Sequence, residues 1–456
     1  MVTFSEYNHF FFIGIAGTGM SAIAQYLRGI GKNVSGSDRL FTGEKMTIQT
    51  QFEDLGIKCY NQDGSGIDRT IDVIVISTAI EDTNLELIKA KSLNIKVIKR
   101  SDLLASISRT KRTIAVGGTS GKSTTTAMIF HILNQCGKSP SLMSGAGLTA
   151  LQKQGLIGNS YNGKSEWLVI EADESDGSIV NYTSEIALLL NMDRDHKEFS
   201  ELIQLFETFR ANTTHTFIVN QSHPMSKKLS INPEYDFGVD NPEVGFNGTE
   251  FSQNGFTIRF KCNDNLVNLS AIGKHNMENA LAAIAACHAT GIEISDAARA
   301  LSTYEGIYRR TQIVGKSDNK IVIDDFAHNP AEVVCAIRSC QNIGKRVIAW
   351  FQPHGYGPLK FMHKELIHEV LNVLRPNDLF ILSDVYYAGG TVNKEITAEM
   401  VANELRRFTS NALYFANKED IIPYLDKNSK NGEVILTMGA RDPYLPQFAQ
   451  KILDAI

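Results

Sequence analysis

The run Gly118-Thr119-Ser120-Gly121-Lys122-Ser123-Thr124 constrains this chain more than any other feature. It follows the apolar stretch Thr113-Ile-Ala-Val-Gly117 and precedes an apolar helical stretch at 127–133. Strand, glycine turn and helix together point backbone N–H groups and the positive end of a helix dipole at a phosphate chain. Glycine lets the backbone come close, a lysine reaches the β- and γ-phosphate oxygens, and a hydroxyl serves Mg2+. Lys122 and Ser123 supply the last two. The general pattern puts a glycine at 116, where this chain has Val116, so the match is to a shorter G-T-x-G-K-S-T form. A chance glycine turn would leave the preceding strand and the Lys-Ser-Thr run unexplained. Binding of ATP with Mg2+ is therefore expected.

A second segment, Trp167-Leu-Val-Ile-Glu-Ala-Asp-Glu-Ser-Asp176, is an apolar strand that ends in four carboxylates. Their mutual repulsion calls for a cation, and strand carboxyl ends face the ligand crevice in open α/β sheets. Glu171 is the expected Mg2+ ligand, against the plainer reading of a solvated acidic turn. Asn191-Met-Asp-Arg-Asp-His196 ends a third strand and makes His196 a second metal or phosphate contact, or a structural histidine.

Gly14-Ile-Ala-Gly17-Thr-Gly19-Met20 is another glycine turn between strand and helix, able to hold a diphosphate. Its order is G-x-x-G-x-G, a weak match to the dinucleotide pattern G-x-G-x-x-G. Asp38 ends the next strand, where a ribose contact would sit. A nicotinamide dehydrogenase competes on these residues, but it leaves the phosphate loop and the acidic cluster without a purpose.

At 456 residues the chain is expected to form about three domains. Strands are expected at 9–14, 32–35, 72–77 and 95–98, with a helix at 20–29, giving a doubly wound α/β module over residues 1–110. Residues 111–314 carry the phosphate loop and further strands at 167–170, 186–190 and 216–219. Within them, 232–268 reads as short antiparallel strands, followed by a helix at 277–290. A third α/β module, 315–456, has strands at 320–324, 346–350, 379–382 and 433–437. A net charge of −5, with scattered basic residues, gives no pull towards nucleic acid. The six cysteines form no CxxC pair, so neither a zinc site nor a disulfide framework is indicated. No run reaches the ~18 apolar residues of a membrane span, and a cytoplasmic location is expected. The partners expected are small-molecule substrates, with no nucleic acid and no membrane.

In this order the motifs resemble the Mur ligase family, most closely its alanine-adding branch and the related peptide-recycling ligases. The resemblance spans nearly the whole chain: Phe12-Ile-Gly-Ile-Ala-Gly-Thr-Gly-Met20, Ser35-Gly-Ser-Asp38, Ser77-Thr-Ala-Ile80, the phosphate loop and Glu171-Ala-Asp-Glu-Ser-Asp176. It continues through Asp195-His196, His275-Asn-Met-Glu-Asn279, Arg309-Arg310, Asp324-Asp-Phe-Ala-His328, Phe351-Gln-Pro-His354 and Met438-Gly-Ala440. It implies an α/β chain of three domains: Rossmann-like N-terminal, P-loop ATPase central and Rossmann-like C-terminal. It also implies roles. Gly14, Gly17, Gly19, Ser37, Asp38 and Ser77 would surround the UDP-sugar, and Gly118 to Thr124 the ATP phosphates. Lys122 would hold the β/γ-phosphates, and Ser123, Glu171 and His196 the magnesium. Asn276 and Asn279 would contact adenine, Asp325 the ribose and Arg310 the γ-phosphate, with His328 facing the amino acid.

The implied activity joins an amino acid, L-alanine in the nearest branch, to a UDP-N-acetylmuramate-type carboxylate through an acyl phosphate, releasing ADP. The alternatives are a paralogue or recycling ligase that attaches a peptide or another amine, and a nucleotide-binding subunit without ligase activity. Residues 198–212 contain no lysine, which agrees with the alanine-adding branch, where other Mur ligases carry a carbamylated lysine. Ser120 and Ser123 stand where that branch commonly has histidine and threonine. Gly355 and Gly357 stand where it has arginines that help hold a substrate carboxylate, so the amine is the open question. Lys360 and Arg441 are the basic residues expected to compensate.

Overall fold

The computed structural model describes residues 4–43, 45–193, 198–387 and 395–456. Its residues group into two compact units. One comprises Met1–Glu250, Phe260–Asn268 and Glu278–Ile307, the other Phe251–Arg259, Leu269–Met277 and Tyr308–Ile456.

The first unit contains two parallel sheets. In the N-terminal sheet the strands lie in the order Lys58–Asn61, Asn33–Asp38, His9–Ile13, Val73–Ile76, Lys96–Lys99, all parallel. Phe10, Phe11, Phe12 and Ile13 are wholly buried, as a parallel strand covered on both faces requires. The strand expected at 32–35 runs on to Asp38, so Ser37 and Asp38 lie at its carboxyl end beside the glycine turn. Helix Thr18–Gly29 starts directly after Gly17.

The second sheet runs Thr213–Val219, Ser184–Leu189, Arg112–Gly117, Trp167–Glu171, Ser141–Met143, Ser160–Tyr161, parallel except for the last pair. Strand Arg112–Gly117 sits between its neighbours, with Ile114, Ala115 and Val116 wholly buried. The phosphate loop leaves this central strand, flanked by the ends of Trp167–Glu171 and Ser184–Leu189. The expectation of antiparallel strands across 232–268 needs correcting at its first pair, because Phe237–Val239 pairs parallel with Phe246–Asn254. The cause is Asp236, a buried carboxylate that accepts from Val219 N at 2.7 Å and from the Gln221 side chain at 2.7 Å. It draws Phe237 into a parallel bridge with Asn220, so the direction of the large sheet carries on.

The second unit is built on Gln312–Ser317, Lys320–Asp325, Glu433–Gly439, Arg346–Gln352, Leu379–Ser383, Ala412–Phe415. Its first strand is antiparallel to the next, and the others are parallel. Helices Pro330–Gln341 and Tyr356–Val373 cover one face, contributing Val333, Ile337, Leu359 and Leu366 to a core with Val347 and Phe380. Leu445–Ala455 and Ile421–Asn428 pack with Trp350 and Ile435 in a separate core. No helix among the described residues is long and apolar enough to cross a membrane.

Candidate active site

Glycine is required at both bends of the phosphate loop. Gly118 and Gly121 have φ of +138° and +84°, and a Cβ on Gly121 would lie 2.6 Å from Asn279 Oδ1. Asn191, just past strand Ser184–Leu189, fixes the loop from the side. Its Oδ1 accepts from Ser120 N at 2.8 Å and Thr119 Oγ1 at 2.9 Å, and its Nδ2 donates to Ser120 O at 3.0 Å. Lys122 and Ser123 open helix Lys122–Gln135, with half-buried Thr124 next to them. Lys122 Nζ donates to Gly118 O at 2.7 Å and to Glu174 Oε2 at 2.9 Å. Burial works against the ammonium, but the Glu174 and Asp173 carboxylates outweigh it and Lys122 holds its proton more tightly than a free lysine. The Glu174 carboxyl is pushed up by its own burial.

The acidic segment resolves into separate pairs. Glu171 accepts from Ser144 Oγ at 2.7 Å, Ser123 Oγ at 3.1 Å and Gly145 N. Asp176 takes Arg100 at 3.3 Å and Ser178 N at 2.9 Å. The protein's own Lys122 and Arg100 thus offset much of the repulsion that the sequence leaves to a metal. Among the described residues no group of three or more His, Cys, Asp and Glu side chains is arranged to hold a metal ion. A Mg2+ bound with ATP needs fewer protein ligands, because it keeps waters and takes phosphate oxygens. Ser123 and Glu171, already in contact, are fit for that. His196, with Asp195, lies outside the described residues.

At the N-terminal turn, Gly14 is left-handed (φ +83°) and donates to Ser37 O at 2.8 Å, and Gly17 N donates to Gly14 O. Asp38 is spent on this turn: Oδ2 accepts from Ala16 N at 3.0 Å and Oδ1 from Leu40 N at 3.1 Å. Ser37 donates to the buried Glu86 carboxylate at 2.5 Å. A Cβ on Gly19 would meet Arg100 Nη1 at 3.1 Å, so glycine there admits a guanidinium beside the turn. Ser77, half-buried, follows strand Val73–Ile76 at the same sheet edge.

In the second unit the residues after Lys320–Asp325 converge. His328 Nδ1 lies 3.0 Å from Glu332 Oε2, and Arg310 Nη1 lies 3.6 Å from Glu332 Oε1. Burial would raise the Glu332 carboxyl, yet the His328 and Arg310 charges hold it well below the usual carboxylate range. The His328 ring packs edge-on against His354, with centroids 5.1 Å apart. Asp325 is buried and accepts from Thr311 N at 2.6 Å and Ala327 N at 2.7 Å; burial pushes its carboxyl up. Asn276 and Asn279 share one face of helix His275–His288. Asn276 Nδ2 donates to Ile272 O at 2.8 Å, while Asn279 Oδ1 accepts from Thr125 Oγ1 at 3.3 Å. Gly355 has φ of +106°, and a Cβ on Gly357 would have no atom within 4 Å.

Asn191, Glu174, Ser144, Arg100 and Glu332 escape the sequence reading as site residues. Glu332 had a signal, since it stands in the first turn of the helix that opens just after His328. Asn191 stood in the strand-end run read for His196, but its hold on the loop, like the Ser144 contact with Glu171, depends on the closing of the sheet.

Three family models match: "Mur ligase family, catalytic domain" over residues 9–112, "Mur ligase middle domain" over 116–287 and "Mur ligase, glutamate ligase domain" over 309–441. The UDP-N-acetylmuramate–L-alanine ligase of Syntrophomonas wolfei is 32% identical, over 94% of this chain and 94% of that protein. The enzyme of the same name from Acetivibrio thermocellus is 32% identical, over 96% and 95%. Among solved structures, UDP-N-acetylmuramate-alanine ligase from Thermotoga maritima superposes with a TM-score of 0.79 at 25% identity, covering 98% of both chains. A murein peptide ligase from Psychrobacter arcticus shares the fold, with a TM-score of 0.71 at 22% identity over 98% of both chains.

Proposed function

The chain belongs to the Mur ligase family, and we propose that the amide bond it forms joins L-alanine to UDP-N-acetylmuramate. It is an ATP-dependent, ADP-forming ligase of three domains. We assign 1–110 to the UDP-sugar, 111–314 to ATP and 315–456 to the amino acid. The observation that carries the choice of substrates is the full-length similarity to enzymes named for this reaction.

The substrate carboxylate attacks the γ-phosphorus, the bond to the ADP oxygen breaks, and an acyl phosphate forms. The amine then attacks the acyl carbon, phosphate leaves, and the amine loses a proton. The first step is a matter of positioning and charge. Lys122 would exchange Glu174 for the β- and γ-phosphate oxygens, and Arg310 would serve the γ-phosphate. Ser123 and Glu171, with His196, would hold Mg2+, which supplies charge neutralisation at the phosphates when bound. Gly118 to Thr124 would line the phosphates, Asn276 and Asn279 the adenine, and Asp325 the ribose side. Gly14, Gly17, Gly19, Ser37 and Ser77 would line the UDP-sugar, with Asp38 shaping their turn. His328, oriented by Glu332, would face the amine. The reading places the reaction in the cytoplasm.

Phosphate release from ATP, measured across a matrix of UDP-sugar acceptors and amines, tests it. ADP and phosphate should appear only with UDP-N-acetylmuramate and L-alanine together. AMP, or turnover with a peptide and none with L-alanine, would replace it, the latter by the recycling reading.

A further inference from the structure

The second unit has a cavity of about 330 Å³ at the carboxyl ends of its parallel strands. Its walls follow Arg346–Gln352, Leu379–Ser383, Ala412–Phe415 and Glu433–Gly439, the edge at which open α/β sheets take ligands. At roughly 30 Å³ per water this is space for about ten waters, ample for a small amino acid. Gln352, Asp384, Tyr386, Lys418, Asp442 and Tyr444 are among the lining residues.

Lys418 is the cation of this cavity. Its ammonium donates to Asp442 Oδ2 at 2.7 Å and sits 5.4 Å from the centre of the Phe448 ring. Asp442 is 2% exposed and its other oxygen accepts from Tyr444 N at 2.9 Å, so both oxygens are committed. An ammonium has three donors, and Lys418 has no second acceptor among the described residues. Two donors are left for a ligand. Acceptors lie on the same lining: the buried Gln352 Oε1 has no hydrogen-bond partner, and Asp384 is exposed, one of its oxygens taken by Tyr414 OH at 2.6 Å. A held cation together with acceptors for N–H groups suits a ligand that carries both a carboxylate and an amine.

We propose that Lys418, positioned by Asp442, reads the carboxylate of the amine substrate and sets this ligase's preference for an amino acid over a neutral amine. This rests on the ligase reading above. The pair is built as a receptor: Asp442 fixes the ammonium without covering it, and the Lys418 side chain is 24% exposed. A carboxylate can therefore join the ammonium without displacing Asp442.

The test compares L-alanine with L-alaninamide, which lacks the charge, in the full chain with saturating ATP and UDP-N-acetylmuramate. Losing a charge-assisted hydrogen bond costs about 10- to 150-fold, so the wild type should favour L-alanine over the amide by that order. Lys418→Met should raise the KM for L-alanine by a similar factor, leave the KM for ATP within about twofold, and bring the preference over the amide close to one. Lys418→Arg should restore part of it. Lys418→Gln, which keeps a hydrogen bond to Asp442, should lose the preference as Met does, and it serves should the Met variant not fold. A preference that persists in Met and Gln variants overturns the proposal, as does an equal loss for both amines, the mark of a purely structural pair. A wild type that uses no amino acid at all removes the ligase reading first, and this assignment with it.

Discussion

The phosphate-loop crevice and the carboxyl edge of the second unit both set cations on carboxylates, but the pairs differ in what surrounds them. Lys122 gives one donor to Glu174 and one to Gly118 O, which leaves one of its three ammonium donors unspent among the described residues. Arg309, by contrast, is only 7% exposed and bridges two strand ends. Its Nε donates to Asp324 at 2.8 Å and its Nη2 to Gly439 O at 2.8 Å, while Thr437 Oγ1 donates to the same carboxylate at 2.8 Å. A cation that reaches solvent with a donor unspent can trade its partner for a substrate, whereas a pair buried on both sides can only hold strands together. Arg309 and Arg310, adjacent in sequence, fall on opposite sides of that line, since Arg310 is 28% exposed and reaches Glu332 at 3.6 Å.

The largest expected effect falls on the buried pair. Arg309→Met should lower unfolding stability by about 3–5 kcal/mol, because the buried Asp324 carboxyl loses its cation. Urea titration followed by far-ultraviolet circular dichroism measures it. A loss below about 1 kcal/mol would erase the distinction between the two kinds of pair.

Lys122→Ala should act on chemistry instead, reducing turnover by about 10²-fold or more, the effect of removing a preorganised charge contact. The fold should survive, because Glu174, its carboxyl already pushed up by burial, can take a proton once its partner is gone. ADP release together with thermal unfolding separates the two outcomes, and near-normal ATP consumption would remove Lys122 from the mechanism.

Glu332 sharpens the comparison through pH. Its pKa is depressed in the folded chain, so the stabilisation it gives is fully present above the unfolded value near ~4.3 and is lost as pH falls below it. That part of the acid slope amounts to up to about 1.4 kcal/mol per pH unit. Asp325, raised by burial, works with the opposite sign, so the wild-type slope is a difference. Glu332→Gln should remove the Glu332 contribution and flatten stability below pH ~4. An unchanged acid limb would mean that His328 and Arg310 do not charge-pair with it in solution.

How much of this was legible in the sequence follows from where each site's parts lie along the chain. Lys122, Ser123 and Glu171 stand in two short runs at or just past the ends of neighbouring strands, so local pattern found them, and the parallel strands were legible from their apolar runs. Asn191 touches Ser120 and Ser144 touches Glu171 only through sheet order, and Lys418 meets Asp442 across 24 residues of chain. No periodicity reports such meetings. The parallel pairing of Phe237–Val239 was hidden for the same reason, since it hangs on Asp236 capturing the end of a distant strand. Asp38 was legible as a residue of the turn, but its side chain's commitment to Ala16 and Leu40 was not.

The smallest expected effect decides between two cations. The sequence nominates Lys360 and Arg441 to stand in for the arginines absent at 355 and 357. Lys360 is half-exposed and paired with Glu395, a surface contact of about 0–1 kcal/mol. Arg441 is exposed and left-handed, with φ of +65°. That backbone costs an L residue roughly 1–2 kcal/mol, while glycine's extra freedom in the unfolded chain costs about 0.5–1 kcal/mol. Arg441→Gly should therefore stabilise the protein by about 0.5–1 kcal/mol and leave the KM for L-alanine within about twofold. A several-fold rise in that KM would mean the strain is kept for substrate binding, and would move the carboxylate contact from Lys418 to Arg441.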